Sequence, residues 1–351
     1  MIAIRADAND KIGTGHVMRC LAIANELEKL NEEVTFITAD EYESELIKKW
    51  GFHHVVLKTD YTDMENELSK LFCVLQEIKV DCIIVDSYYA SKEYLKQLTN
   101  SFVTVYIDDF AENKYPVDML INYNISYSKY EYKRIYNNTD IKLLIGTSYV
   151  PLREEFSNVN PIHINDCVHN LLITTGGTDQ FNVSTDLAKH IVQDTHFNDV
   201  NVHIVVGPFY YNIAELKQLT KKFSRIIIHE NIKSMSKLML ECDIVVSASG
   251  TTLYELCVCG VPSIIFGLAD NQIMIRKSFG ESGAMIDLGD VRDDKSKCII
   301  NIIKELKLIG NKEKRTLLSK KANNITDGKG ASRIAENILS LIKYKSVLKE
   351  G

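Results

Sequence analysis

The segment IAIRADANDKIGTGHVMRCLAIANELEKL, residues 2–30, has the pattern of a β-strand, a glycine turn and an α-helix. The run at residues 2–5 predicts a buried strand, and apolar residues recur at helical spacing over residues 17–30. Gly13 and Gly15 lie between the two elements and permit a tight turn. The segment therefore predicts the first strand and helix of an α/β domain.

Short β-branched runs alternate with amphipathic helices along the rest of the chain. The first half contains strands predicted at 2–5, 34–38, 54–57, 82–85, 103–107 and 119–122. The second half restarts the pattern with strands predicted at 171–174, 202–206, 226–229, 244–247 and 263–266. Nearly continuous apolar strands separated by helices are typical of parallel sheets covered on both faces. We therefore predict the α/β class, with two doubly wound Rossmann-like domains and a cleft between them.

The same pattern predicts the domain boundaries. Residues 1–150 form the N-terminal Rossmann-like domain, and residues 151–168 form a linker that contains two prolines and little periodicity. Residues 169–330 form the C-terminal Rossmann-like domain. The final helix, at 331–351, is available to pack back on the N-terminal domain. Ligands of such sheets bind outside the carboxyl ends of the strands, so the chemistry is expected in the strand–helix turns.

Composition and charge exclude several classes of protein. The 351 residues carry 41 Lys and Arg against 47 Asp and Glu, a net charge of −6, which disfavours sequence-independent nucleic-acid binding. No apolar stretch of 18 residues predicts a membrane span, and the first residues lack the apolar core of a signal peptide. Eight scattered cysteines contain no Cys-x-x-Cys pair, which favours reduced core cysteines. We expect a cytoplasmic monomer without a metal or another cofactor.

His16 is the candidate catalytic residue of the first turn. It follows Gly15 at the N-terminus of the predicted helix, where the helix dipole disfavours a protonated imidazole. A neutral imidazole accepts a proton from water, as a general base must. A capping or packing histidine is the alternative, and the spacing alone does not separate the two. Gly13, Gly15 and Arg19 of the same segment are candidate substrate-binding residues.

Polar residues also follow the strand at 82–85. Asp86 and Tyr88 are expected at the carboxyl edge of the sheet, where they would bind a sugar or orient a water molecule. The alternative is a helix cap supplied by Asp86 or Ser87, with Tyr88 as a packing residue. The pair Asp108 and Asp109 follows the next strand, and for these two residues the capping role is the stronger one.

Two turns of the second half carry further candidates. The pair Gly176 and Gly177 precedes a helix and would expose backbone N–H groups to a phosphate, with a tight strand–helix turn as the alternative. Asn271 and Gln272 follow a later strand, where they would contact the sugar and the pyrophosphate or else cap the next helix.

The run SASGTTLYEL, residues 247–256, predicts a site for the nucleotide. Ser249, Gly250 and Thr251 place backbone N–H groups and hydroxyls where a diphosphate would bind. Glu255 lies one helical turn after Thr251, on the same face, where a carboxylate suits a ribose diol. A surface glutamate is the alternative reading for Glu255.

Three absent motifs narrow the chemistry. No Asp-x-Asp occurs, which argues against a diphosphate bridged by a metal ion. No GxxxxGK[ST] loop occurs, which argues against ATP hydrolysis. No GxSxG elbow occurs, which argues against a serine hydrolase.

Several of these motifs together resemble one enzyme family. They are RADANDKIGTGHVMRCLAIA at 5–24, DSY at 86–88, GGTD at 176–179, SASGTTLYEL at 247–256 and ADNQ at 269–272. The chain resembles the UDP-2,4-diacetamido-2,4,6-trideoxy-β-L-altropyranose hydrolases of pseudaminic acid biosynthesis, within the MurG-like GT-B superfamily. The resemblance extends to about residue 290, and its second-half motifs are shared with MurG-like transferases.

The resemblance implies a GT-B fold and a metal-independent UDP-sugar hydrolase that serves a surface-glycan pathway. His16 would be the general base that directs water at the anomeric carbon, so that UDP leaves with inversion. Tyr88 and Asn271 match family positions near the sugar. The positions that match the diphosphate and ribose side are Gly250, Thr251 and Glu255. Helix N-termini would stabilise the leaving pyrophosphate in place of a metal.

Three other functions stay open at this point. A MurG-like glycosyltransferase would use the same UDP-sugar donor but would require an acceptor. A non-catalytic nucleotide-sugar binding protein would bind UDP without turnover. A hydrolysing UDP-GlcNAc 2-epimerase would differ in its product.

Overall fold

The computed structural model describes residues 1–9, 12–111, 113–207 and 210–350, with the side chains of residues 349 and 350 left out. Asp10 and Lys11 of the first motif lie outside the described residues. The chain forms two compact units. The first comprises Met1–Glu154 with Lys329–Gly351, and the second comprises Glu155–Gly328.

The first unit is built on a parallel sheet of seven strands. The strands are β1 (Ile2–Ala6), β2 (Val34–Thr38), β3 (His53–Val56), β4 (Cys82–Asp86), β5 (Val103–Ile107), β6 (Met119–Asn122) and β7 (Lys142–Ile145). Their order in the sheet is β3-β2-β1-β4-β5-β6-β7. The strands β1, β2, β4 and β5 are buried along their whole length, because helices cover both faces.

Five helices follow the strands of this unit. They are α1 (Gly15–Lys29), α2 (Ser44–Lys49), α3 (Met64–Glu77), α4 (Lys92–Thr99) and α5 (Tyr132–Ile135). The chain turns outward from β1 through β2 to β3 and then returns to place β4 on the other side of β1. The order reverses between β1 and β4, and a doubly wound sheet binds ligands at such a point.

The second unit repeats this architecture with six parallel strands. They are β8 (Asn170–Thr174), β9 (Asn201–Val206), β10 (Ile226–Glu230), β11 (Ile244–Ala248), β12 (Ser263–Gly267) and β13 (Ile286–Asp290), in the order β10-β9-β8-β11-β12-β13. The helices are α6 (Val183–Gln193), α7 (Ile213–Lys222), α8 (Met235–Leu240), α9 (Thr252–Cys259), α10 (Ile273–Ser282), α11 (Lys295–Leu308) and α12 (Lys312–Asn323). Its order reverses between β8 and β11.

The last helix, α13 (Gly330–Glu350), belongs to the first unit and packs against α1. Lys345 of α13 pairs with Asp118 at 2.7 Å, and Arg333 donates to the Ser148 carbonyl at 2.9 Å. The α/β class and the two parallel sheets predicted from the sequence are confirmed. The edge strands β7 and β13 are absent from the prediction.

Candidate active site

The turn after β1 places His16 at the start of α1. The Gly13 amide donates to the Asn9 carbonyl at 2.8 Å, and the Ile12 amide donates to Asn9 Oδ1 at 3.0 Å. Gly13 has φ +72°, a left-handed value that glycine adopts without strain. A Cβ atom on Gly15 would meet nothing within 4 Å, so the space beside this residue is open.

Asp86 holds the His16 ring in place. Asp86 is the last residue of β4, the strand beside β1, and its Oδ1 lies 2.6 Å from His16 Nδ1. Both side chains are buried, with 4% of His16 and 1% of Asp86 exposed. The two residues therefore meet where the strand order reverses.

The protonation of Asp86 follows from its surroundings. Burial raises the pKa of Asp86, but the Arg19 charge and the hydrogen bonds from Arg19 and His16 outweigh burial and hold the pKa well below its ordinary value. The ionised carboxylate only accepts hydrogen bonds, so Nδ1 of His16 carries the proton in this contact. With a proton on Nδ1, Nε2 is the ring nitrogen that accepts a proton whenever the imidazole is neutral.

Arg19 binds both oxygens of the same carboxylate. Its Nε donates to Asp86 Oδ2 at 2.6 Å, and its Nη1 and Nη2 donate to Asp109 at 3.1 and 2.9 Å. Further N–H groups reach Asp86 Oδ1 and the Tyr123 hydroxyl. All five donors of the guanidinium are thereby directed at protein acceptors. Arg19 thus orients Asp86, and Asp86 in turn orients His16.

The charges of this cluster are balanced for proton uptake. Two carboxylates, Asp86 and Asp109, surround the one guanidinium of Arg19. With a neutral His16, the cluster carries a net charge of −1. When His16 takes up a proton, the net charge of the cluster becomes zero. An imidazolium formed during a reaction is compensated without movement of the protein.

Tyr88 covers one edge of the histidine. The two ring centroids are 4.4 Å apart with an interplanar angle of 76°, an edge-to-face contact. Tyr88 is nevertheless 38% exposed. The residue predicted to contact the sugar thus lies directly beside His16, at an accessible surface.

The glycine turn after β8 is built differently. Gly176 has φ +79°, a left-handed value. A Cβ atom on Gly207 would lie 2.6 Å from the Gly177 Cα, so the backbone at 207 can approach Gly177 this closely only as glycine. Asp179, which is fully buried, accepts from the first two amides of α6, the Val183 amide among them, at 2.9 and 3.0 Å. The protein's own carboxylate therefore occupies the helix N-terminus that the sequence offers to a phosphate.

The turn after β11 is more open. Ser249 is fully buried, and its hydroxyl donates to the Phe266 carbonyl of the neighbouring β12 at 2.9 Å. A Cβ atom on Gly250 would meet nothing within 4 Å, and Thr251 is exposed just before α9. Glu255 lies in the first turn of α9 and is partly exposed. These residues leave room for a ligand at the N-terminus of an eight-residue helix.

Asn271 and Gln272 form a 3₁₀ turn before α10. The Gln272 Oε1 accepts from the Leu268 amide at 2.8 Å, which ties this side chain to the end of β12. The Asn271 side chain is exposed. Within the residues that the structure describes, no group of three or more His, Cys, Asp or Glu is arranged to hold a metal ion. The helices in the described ranges include none that is long and apolar enough to cross a membrane.

Sequence reasoning left two residues of this cluster out of the candidate site. Asp86 was expected at the carboxyl edge but as a sugar, water or capping residue, and Asp109 was expected mainly to cap a helix. The available signal was their position: Asp86 ends the buried strand β4 and Asp109 follows the buried strand β5, and β1, β4 and β5 are successive neighbours in the sheet. That neighbourhood brings both carboxylates to the first turn of α1.

Comparison with known proteins agrees with the resemblance. Residues 171–338 match the glycosyltransferase family 28 C-terminal domain. The chain is 26% identical to the UDP-2,4-diacetamido-2,4,6-trideoxy-β-L-altropyranose hydrolase of Campylobacter jejuni, over 71% of this chain and 85% of that protein. It is 28% identical to the Helicobacter pylori protein named pseudaminic acid cytidylyltransferase and UDP-2,4-diacetamido-2,4,6-trideoxy-β-L-altropyranose hydrolase, over 77% of this chain and 45% of that protein.

Two further proteins are similar to this chain in sequence or in fold. The uncharacterized protein MJ1062 of Methanocaldococcus jannaschii is 28% identical over 75% of this chain and 55% of its own length. The chain thus spans about half the length of two of these relatives. The crystal structure of Acinetobacter baumannii MurG superposes with a TM-score of 0.69 at 14% identity, covering 97% of this chain and 99% of that one. The GT-B fold and the resemblance to the hydrolase family are therefore confirmed.

Proposed function

We propose that the protein is a metal-independent nucleotide-sugar hydrolase. Its substrate would be UDP-2,4-diacetamido-2,4,6-trideoxy-β-L-altropyranose, and its products UDP and the free sugar, as the names of two relatives suggest. The observation that carries the proposal is the 2.6 Å contact between His16 Nδ1 and Asp86 Oδ1. This contact leaves Nε2 ready to take a proton from water.

The chemistry follows from that arrangement. Nε2 of His16 removes a proton from a water molecule as the water oxygen forms a bond to the anomeric carbon. The bond between that carbon and the diphosphate oxygen breaks, and its electron pair leaves with UDP. The configuration at the anomeric carbon is inverted, because water attacks opposite the leaving group. Asp86 stabilises the imidazolium, Arg19 keeps Asp86 ionised and oriented, and Asp109 holds Arg19 in place.

The second unit would bind the UDP portion. The open turn at Gly250 and Thr251 supports a diphosphate there, because the N-terminus of α9 favours an anion. Glu255 is assigned to the ribose and Asn271 to the sugar. Gly176 and Gly177 are assigned to the UDP site with backbone contacts only, since Asp179 already accepts from the first amides of α6. UDP is a good leaving group, so the proposal requires neither a metal nor a dedicated acid.

A glycosyltransferase is the second candidate. The match to the family 28 C-terminal domain and the MurG-like fold favour it, since both are compatible with transfer to an acceptor hydroxyl. The His16–Asp86 pair would remove a proton from either water or a hydroxyl. The two functions therefore differ in their need for an acceptor.

UDP release without an acceptor separates them. Release would be measured with EDTA present, on UDP-2,4-diacetamido-2,4,6-trideoxy-β-L-altropyranose and on UDP-GlcNAc, for the unaltered protein and for His16→Ala. We expect rapid release from the first substrate, little from the second, and a loss of about 10²–10⁴-fold in the variant. Absence of release from both substrates would refute the hydrolase, and release only with an added acceptor would identify a transferase.

A further inference from the structure

Phe110 forms an exposed aromatic wall together with Tyr88 beside His16. The two ring centroids are 5.1 Å apart with an interplanar angle of 49°. Phe110 is 43% exposed and Tyr88 38% exposed, although both follow strands that are buried along their length. An apolar surface that stays accessible next to a reactive group indicates a binding surface.

The loop that carries Phe110 is firmly anchored. The amides of Phe110 and Ala111 both donate to Asp108 Oδ1 at 3.1 Å, and the Tyr132 hydroxyl donates to Asp108 Oδ2 at 2.7 Å. Asp108 is 1% exposed, and Asn122 donates to the same Tyr132 hydroxyl at 2.6 Å. A buried, hydrogen-bonded carboxylate thus fixes the backbone on which Phe110 is presented.

The preceding residue ties this loop to the reactive cluster. Asp109 accepts both hydrogen bonds from Arg19, and Asn124 donates to the Asp109 carbonyl at 3.3 Å. Arg19 in turn donates to Asp86, the hydrogen-bond partner of His16. Phe110 is therefore held at a fixed place relative to the histidine by a chain of charged contacts, and its ring is free to meet a ligand.

We propose that the Tyr88–Phe110 wall binds the C6 methyl group of the sugar and selects 6-deoxyhexoses. This inference rests on the proposed function, since a base that acts at the anomeric carbon has the hexose ring beside it. A phenyl ring has no hydrogen-bonding atom, so it favours a substituent that has none either. Of the substituents on a 2,4-diacetamido-2,4,6-trideoxyhexose, the C6 methyl is the one that carries no hydrogen-bonding group, because each acetamido group brings an N–H and a carbonyl together with its methyl. A hydroxyl at C6 would lose its hydration against the ring.

The test compares binding, so it does not depend on turnover. His16→Asn would be used to trap the UDP-sugar, and its affinity would be measured by calorimetry with and without Phe110→Ala. The ligands are the 6-deoxy UDP-sugar, its 6-hydroxy counterpart and UDP. Phe110→Leu retains an apolar side chain, and Tyr344→Ala removes another exposed ring, on α13, as the matched control.

We expect Phe110→Ala to weaken binding of the 6-deoxy ligand about tenfold, the effect of losing one methyl contact. Binding of the 6-hydroxy ligand and of UDP should change less than twofold, and Phe110→Leu should be intermediate. Equal losses for all three ligands, or none for the 6-deoxy ligand, would overturn the inference. If the unaltered protein binds the 6-deoxy ligand without hydrolysing it, the proposed function fails while this comparison still decides the role of Phe110.

Discussion

The turns after β1 and after β8 occupy the same place in their two sheets but differ at the helix that follows. In the first, His16 begins α1 and contacts Asp86 of the adjacent strand β4. In the second, Asp179 accepts from the first amides of α6, so the turn is closed by the protein itself. The same local pattern therefore supplies a proton acceptor in one unit and a helix cap in the other.

The difference shows that a glycine turn determines position and not chemistry. Both turns bring a helix N-terminus to the point where the strand order reverses. What the helix end then does depends on the side chain there and on the residue that ends the neighbouring strand. In the second unit, the open N-terminus is that of α9, one strand across from Gly176.

The largest expected effect is at Asp86. Asp86→Asn should lower kcat for UDP release by about 10²–10⁴-fold, because an amide no longer holds Nδ1 as the donor. The measurement is the rate of UDP release under saturating substrate. Asp81→Asn changes an exposed carboxylate just before the same strand, where it pairs with the Met1 amine, and should leave the rate within twofold. An unchanged rate of UDP release in Asp86→Asn would contradict a catalytic role for the turn after β1.

The matching change in the second unit should affect stability instead. Asp179→Ala leaves the first amides of α6 and the Tyr210 hydroxyl without their acceptor, which should lower the free energy of unfolding by about 1–2 kcal/mol. Urea unfolding measures this loss. Asp194→Ala removes a cap contact at 3.0 Å to an exposed residue and should cost less. The kcat per folded molecule should stay unchanged, and a loss of kcat comparable to that of Asp86→Asn would contradict a purely structural Asp179.

A smaller effect is expected at the open turn. A Cβ atom on Gly250 meets no protein atom within 4 Å, so Gly250→Ala should leave the melting temperature unchanged and weaken UDP binding several-fold by occupying the ligand's space. Gly207→Ala should instead lower the melting temperature, because its Cβ would lie 2.6 Å from the Gly177 Cα. Calorimetry with UDP and thermal unfolding of both variants would measure the two effects. Unchanged UDP binding in Gly250→Ala would place the diphosphate elsewhere.

The smallest expected effect is on acid stability. The pKa of Asp86 is held below its unfolded value of about 3.9, so the unfolded chain binds the proton more readily. The stabilisation is therefore present above about pH 4 and is lost as the pH falls through the folded value. The free energy of unfolding, measured between pH 6 and pH 2, should fall less steeply in Asp86→Asn than in the unaltered protein. Parallel curves would refute the ion pair with Arg19.

Much of the fold was accessible from the sequence because buried parallel strands are long apolar runs. The predicted strands at 34–38, 103–107 and 119–122 coincide with β2, β5 and β6. The missed strands β7 and β13 lie at sheet edges and are only partly buried along most of their length.

The two sheets, the glycine turns and the place of His16 at the start of a helix were predictable from the sequence, because they depend on local periodicity and on backbone freedom. The partners of His16 depend on the tertiary structure. Asp86 lies 70 positions after its partner His16, and Asp109 lies 90 positions after its partner Arg19. These residues meet because β4 pairs with β1 and β5 pairs with β4. Strand order is set by packing between distant segments of the chain. The contact that places a proton on His16 Nδ1, which Asp86 makes, therefore depends on the fold and not on local sequence.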